Sequence, residues 1–239
     1  MLPALVLFAA CTRGSPAEER TAWLAALGLE DPAAAFEACM ALHDDALRAD
    51  CGLAAAERLA HTRGPTTGDL LARCRRLDGW AADECAFQVG ERRRDPAACA
   101  AAGRFADDCR LHLFSTGLAS WVPAGASPSD PALLERLRSE GAATGLDPTD
   151  ERAASAYFRW VLGGRVPLDR GACDALSDPA LQDACRHTGL ALYADRLNHA
   201  RDTRTYPCGG GVLPASLAYA PDPEIDRLRQ RREEEDLCP

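Results

Sequence analysis

Lysine is absent from this chain of 239 residues, and all 27 basic residues are arginine. We read that as the coding bias of a GC-rich genome and draw no mechanism from it. Aromatic residues are scarce, at 6%, and alanine dominates the 47% that is hydrophobic. Small side chains allow close contact between helices but bury less apolar area per residue, so covalent cross-links compensate. No stretch alternates apolar and polar residues with period two over a useful length, which argues against strands beyond a short one near the end. Positive charge is also outweighed: the net charge is −9 and the pI about 5.1. Nucleic acid is therefore not an expected partner, because phosphates need clustered cations.

Several reactive patterns are missing as well. No two cysteines are separated by two residues, the spacing of zinc ribbons and redox dithiols. The five histidines, His43, His61, His112, His187 and His199, are scattered, and none forms the paired motif of a metalloprotease. His112 and His187 closely follow cysteines, as metal ligands can, but an oxidised sulfur is not a thiolate ligand, so we read both as helix histidines. Gly209, Gly210 and Gly211 lack the lysine and the strand-to-helix context of a phosphate loop, and no serine sits in a nucleophile elbow. The neighbouring carboxylates Asp44 and Asp45, Asp107 and Asp108, and Glu233, Glu234 and Glu235 read as helix-start charge and a solvated tail. We expect no catalytic constellation, no metal and no cofactor.

What the chain does have is cysteine. There are eleven, eight of which form four local pairs: Cys39 and Cys51, Cys74 and Cys85, Cys99 and Cys109, Cys173 and Cys185. Along one continuous helix such spacings span roughly 15–18 Å, whereas a disulfide needs Cα atoms about 4.4–6.8 Å apart. The chain must reverse inside each pair if the pair is bonded. Turn residues occur in all four gaps: Asp44 and Asp45, Asp78 and Gly79, Gly103, and Ser177, Asp178 and Pro179. Acid precedes each second cysteine (Asp50, Asp83 and Glu84, Asp107 and Asp108, Asp183), which suits the positive end of a helix dipole. The second cysteine is therefore expected in the first turn of a new helix. Cys208 and Cys238 are left as a fifth pair across the irregular Gly-Pro-rich segment, where a bond would hold the last helix, 224–235, against fraying.

Cys11 stands apart. The preceding residues, MLPALVLFAA, are uncharged and apolar and end in the small residues Ala9 and Ala10. This stretch resembles the signal segment of a bacterial lipoprotein, in which the cysteine after a small-residue pair is lipidated and becomes the new N-terminus. The resemblance implies a membrane anchor through lipid on Cys11 and an extracytoplasmic location, at the periplasmic face or the cell surface. No basic residue precedes the run, the run is short for a signal-peptide core, and Phe8 stands where leucine is usual, so an ordinary secretory signal or a misplaced start is the alternative reading.

The remaining organisation follows from periodicity and punctuation. Helices are expected over 17–29, from Asp31 and Pro32 to about 42, over 46–61, over 80–94, over 131–140, over 149–162 behind Asp147 and Pro148, and up to about 198. Thr66 or Thr67 caps a further helix carrying Leu70, Leu71 and Cys74. The segment 121–130, WVPAGASPSD, reads as a loop or linker. We divide the chain into a signal segment (1–10), a lipid-anchored tether (11–16), N-terminal stapled hairpins (17–120), the loop (121–130), and a C-terminal helical region with a disulfide-pinned tail (131–239). Tyr157, Phe158, Trp160 and Val161 cannot all face one core, so their helix is either buried between layers or exposes an apolar surface.

The hairpins resemble the disulfide-bridged, cysteine-rich repeat proteins of the tetratricopeptide-like class, in which stacked helical pairs are each stapled. Beyond the cysteines, the segment AFQVG after Cys85 looks like the start of such a repeat. Corresponding cysteines at 39, 74, 99 and 173 hold no fixed period. A second resemblance, to twin-cysteine helical hairpins, would bond Cys74 to Cys109 and Cys85 to Cys99, through helices unbroken at Gly79 and Gly103. The fold expected is all-α, with disulfide-stapled helical hairpins packed as an irregular bundle or short solenoid. The function expected is a membrane-anchored extracytoplasmic lipoprotein acting as a binding or scaffold module, with an unidentified protein partner. The alternative is a periplasmic enzyme, such as a hydrolase, whose site is assembled from dispersed residues. Non-reducing peptide mapping is expected to find no free thiol, four bonds within the local pairs, and a bond from Cys208 to Cys238. A Cys85–Cys99 cross-link would instead select the twin-cysteine arrangement.

Overall fold

The computed structural model describes residues 15–123, 125–164, 168–203, 205–206 and 212–235. Cys11, Cys208, Cys238 and residues 209–211 lie outside them. The described residues form eleven α-helices and no strand. A lone parallel bridge joins Leu168 to Tyr219 near the end of the chain. Two compact units divide at Cys109 and Arg110, ahead of the loop at which the sequence suggests a break. The start of that loop is itself core: Trp121 and Val122 are buried with Phe114, Leu118 and Tyr157.

In the first unit, each helix start has a local cause. Ser15 and Glu18 form a reciprocal capping box at the head of α1 (Pro16–Leu27). Asp31 caps α2 (Pro32–Met40), whose first residue is a proline already set for helix. Asp44 accepts from two backbone N–H groups of α3 (Asp45–Ala60), and Thr66 with Asp69 makes a second capping box for α4 (Thr67–Cys74). The start of α5 (Trp80–Arg93) depends on Gly79 at φ 54°, a left-handed conformation that glycine adopts without strain. Asp95 and Pro96 open the short α6 (Pro96–Ala100), and a 3₁₀ turn at Gly103–Phe105 leads to α7 (Ala106–Leu118), within which the division between units falls.

Three disulfides staple these hairpins: Cys39–Cys51, Cys74–Cys85 and Cys99–Cys109, with Cα atoms 5.3–5.4 Å apart. The first cysteine ends a helix or lies one residue from its end. The second sits deeper than the acidic residues suggest: Cys51 and Cys85 occupy second turns, and only Cys109 lies in the first turn of its helix. The reason is that Asp44 and Gly79, earlier in the chain, set the helix starts. Asp83 serves differently from helix-start charge alone, since its carboxylate accepts from the backbone N–H and Nε of Arg104 and so ties α5 to the next hairpin. Around the bridges the core is Phe36, Leu59, Leu70, Leu77 and Val89 among many alanines.

The second unit is built on α8 (Pro131–Thr144), α9 (Glu151–Gly163), α10 (Pro179–Asp202) and α11 (Pro223–Glu234). Helix α8 continues past the expected stop at 140 and closes on Gly145, which is left-handed at φ 74°. Asp147 and Pro148 do not open α9. Asp147 instead turns back on Thr149, accepting from its N–H and hydroxyl, and Asp150 takes over as the cap. The aromatic helix resolves into a buried and an exposed edge. Tyr157, Phe158, Val161 and Leu162 are buried, while Trp160 stays half-exposed and donates from Nε1 to the Val122 carbonyl.

A fourth staple, Cys173–Cys185, joins a 3₁₀ turn to the second turn of α10 with Cα atoms 5.7 Å apart. The far half of α10 carries a separate cluster, in which Tyr193, Leu197, Leu217 and Ile225 are buried together. Ile225 docks α11, and Arg170 reinforces this by pairing with both Asp222 and Glu224.

Arginines from neighbouring helices close several helix ends. Arg58 donates to the carbonyls of Leu27, Leu29 and Glu30 behind α1, Arg48 to Leu42 behind α2, Arg93 to Thr62 and Pro65 behind α3, and Arg196 to Gly163 at the end of α9. The Leu27 and Gly163 carbonyls end their helices, and the others lie in the turns just past a helix end, where no intrahelical donor reaches them. No basic residue lies in the last turns of α1, α2 and α9, so the donors come from elsewhere in the fold.

Two glycines test how tightly the staples are packed. A Cβ on Gly90 would lie 2.8 Å from Cys109 Sγ and 3.1 Å from Cys99 Sγ, whereas one on Gly117 would meet nothing. Gly90→Ala is expected to destabilise the first unit by about 1–3 kcal/mol through overpacking. Gly117→Ala should be neutral or add up to about 1 kcal/mol from helix propensity. Chemical denaturation of both variants checks this contrast; equal stabilities would mean that the bridge is not held against α5.

Candidate binding groove at Trp80

The expected absence of clustered catalytic groups makes burial, charge and exposed aromatic surface the guides to a site. The histidines remain apart. His43 binds Glu19 through Nδ1 at 3.2 Å, and His61 follows α3, while His112 lies in α7 and His187 and His199 lie in α10. Among the described residues no three of His, Cys, Asp and Glu come together as a metal site, and no helix is long and apolar enough to cross a membrane. The eight described cysteines are paired in disulfides and buried. The carboxylates Asp44 and Asp45 divide their work, the first capping α3 and the second pairing with Arg48. Glu233 accepts from the Tyr206 hydroxyl.

A concavity in the first unit lies between the opening turns of α3 and the turn from α4 to α5. It holds about 280 Å³ and is lined by Asp45, Arg48, Asp50, Leu77, Asp78 and Trp80, with Ala46 and Ala49 between them. Leu77 is buried, and Trp80 is 48% exposed, an unusual state for so large an apolar ring. Gly79 makes the sharp entry that sets Trp80 as the first residue of α5, and the Cys74–Cys85 bridge closes the same turn.

Charge in the groove is uneven. Arg48 is its one cation, and this guanidinium already donates to the Leu42 carbonyl, pairs with Asp45, and lies 3.6 Å from Asp78. The Asp50 carboxylate is exposed and has no ion pair or hydrogen bond among the described residues. Three carboxylates against one cation leave a formal charge of −2 around an aromatic face. Such a face attracts cations through its quadrupole, and the alanines and Leu77 supply apolar contact for a side-chain stem.

The sequence does not mark this site. Trp80 reads in the sequence only as the start of a helix, and Asp50 and Asp78 as helix-start charge and a turn. The hint that was there is an aromatic residue directly behind the turn Asp78 and Gly79. What the sequence does not carry is the approach of α3, which comes from tertiary packing.

The second unit holds all four tyrosines, and burial dominates their ionisation. Burial and then the charge of Asp130 push Tyr157 up to about 12. Burial, followed by the charge of Glu233 and its hydrogen bond, pushes Tyr206 up to about 12. Tyr193 is raised further by burial and by Tyr219, and Tyr219 is raised by burial and by its hydrogen bond to Asp226. The Tyr157 and Tyr193 hydroxyls have no partner among the described residues, so these rings act as packing groups.

No protein-family model matches the chain, and no curated protein or solved structure is significantly similar to it.

Because the folded state raises these tyrosine pKa values, it binds more protons than the unfolded chain between the ordinary value near 10 and about 12. The stability that comes from keeping the rings neutral is complete below that window and is lost as pH rises through it. Tyrosinate absorbance is therefore expected to rise together with loss of near-ultraviolet dichroism. Tyr157→Phe should leave the protein as stable at neutral pH, or up to about 1 kcal/mol more stable, because it removes a buried hydroxyl that makes no hydrogen bond. Free titration of all four tyrosines near 10 in the folded protein would contradict the burial.

Proposed function

We propose that this protein is an extracytoplasmic binding module held at a membrane by lipid on Cys11, with the Trp80 groove as its binding surface. The observation that carries the reading is the set of four buried disulfides across helical turns. Bridges of this kind persist in oxidising compartments and suit a small-residue core that needs covalent support. The apolar leader before Cys11 supplies the route to such a compartment, and a half-exposed tryptophan between carboxylates is a surface suited to contact rather than to solvation. A rigid scaffold presenting one such groove supports a module that docks a partner near the membrane.

Cys11→Ser is expected to move the protein from the membrane fraction to the soluble fraction with unchanged helical circular dichroism. A single acyl chain binds weakly, whereas the several chains of a lipoprotein anchor stably, so loss of the anchor should be decisive. Retention of the serine variant on membranes after a high-salt wash would remove the lipid anchor from the proposal.

A further inference from the structure

We propose that the Trp80 groove receives an arginine or lysine side chain from a basic segment of a partner protein. This deepens the binding-module reading above and rests on it. Three observations converge on a cation with an apolar stem. The groove pairs an exposed indole with a buried Leu77 and the lining alanines Ala46 and Ala49. Its lining has a net charge of −2, with the sole guanidinium committed to Asp45, Asp78 and the Leu42 carbonyl. Asp50 remains exposed and unpaired at the edge.

Small size together with an exposed indole beside carboxylates favours a protruding side chain over a free small molecule. At about 280 Å³ the groove lies at the lower edge of the roughly 300–1,000 Å³ range of clefts that enclose a small-molecule ligand. One long basic side chain suits it better: the stem lies along the indole and leucine while the charged head reaches Asp50 or Asp78. An ammonium or guanidinium there faces carboxylates that are largely solvated, so attraction costs little desolvation and favours fast, salt-sensitive docking. The acidic balance of the chain, −9 overall, points the same way for the partner's charge.

The test is calorimetric titration of the disulfide-intact mature protein with N-acetyl-hexaarginine amide, at about 0.1 M salt so that only nearby charges are felt. Saturable binding is expected, weakened roughly tenfold by Trp80→Ala and by the double variant Asp50→Asn, Asp78→Asn. Glu234→Gln with Glu235→Gln removes the same charge from the end of α11 and should change affinity by less than about twofold. Equal weakening by both double variants would reduce the effect to general attraction towards an acidic protein and overturn the proposal, as would absence of binding at about 1 mM peptide. Should Trp80→Ala disturb folding, the surface carboxylate pair still decides the matter. Membrane release of Cys11→Ser without hexaarginine binding would leave the anchored module standing and reject only the cationic ligand.

Discussion

The staple across each helical turn is the constraint on which the rest of this protein depends. Bridged Cα atoms sit 5.3–5.7 Å apart, within the roughly 4.4–6.8 Å that a disulfide requires, so each bridge holds its two helices in direct contact. Whatever lies beside such a junction must be small. A Cβ on Gly90 would press on both sulfurs of the third staple, and one on Gly52, next to Cys51, would strike Leu77 at 2.5 Å. Ala35, Ala55, Ala81 and Ala98 are wholly buried in the same core. Alanine there contributes little apolar area, so the bridges matter more. Each short loop contributes roughly 2–3 kcal/mol by restricting the unfolded chain, against a total stability of about 5–15 kcal/mol for ordinary proteins.

Short stapled helices bring many helix ends into a small volume, and each end leaves carbonyls without partners. Here the all-arginine composition has a structural consequence whatever its origin. A guanidinium spreads five donors across a rigid plane, whereas an ammonium concentrates three on one atom. Arg58 uses two of its nitrogens to reach three carbonyls behind α1. Arg93 reaches two carbonyls in the turn behind α3, and Arg48 closes α2 while also pairing with Asp45. The same type of residue thus joins one hairpin to the next without a large apolar contact. Arg73 and Arg76 add to this on a different surface, lying over the Phe36 ring and sharing Glu37, whose carboxyl they hold below its usual range.

What was legible in the sequence is the covalent frame, because a disulfide between residues ten to twelve apart forces a reversal and the turn residues are present to make it. The cap at Asp31 was also readable from its following proline, and Asp95 and Asp178 follow the same rule in the structure. Asp147 shows where local rules fall short. It has the same Asp-Pro signature, but Asp150 lies three residues on and captures two backbone N–H groups, so the helix starts later. Acid before a second cysteine misled for a related reason, since Asp50 and Asp183 lie within helices already begun by Asp44 and Asp178. The groove was not legible at all. Its lining joins residues 45–50 to residues 77–80, and only packing decides that these segments meet.

The groove and the staples are linked through the turn at Gly79. An exposed indole on a flexible loop would lose rotational and backbone freedom on binding, a cost of roughly 0.5–1.5 kcal/mol for each side chain immobilised. Trp80 instead begins a helix whose sixth residue is bridged to the last residue of α4. Arg48 closes α2 and meets Asp45 and Asp78 on the two sides of the groove, so the carboxylates are positioned before any ligand arrives. The bridge that compensates for a weak apolar core therefore also holds an aromatic group at the surface with its backbone already fixed. In the proposed binding surface, that order is supplied by the fold before a ligand arrives.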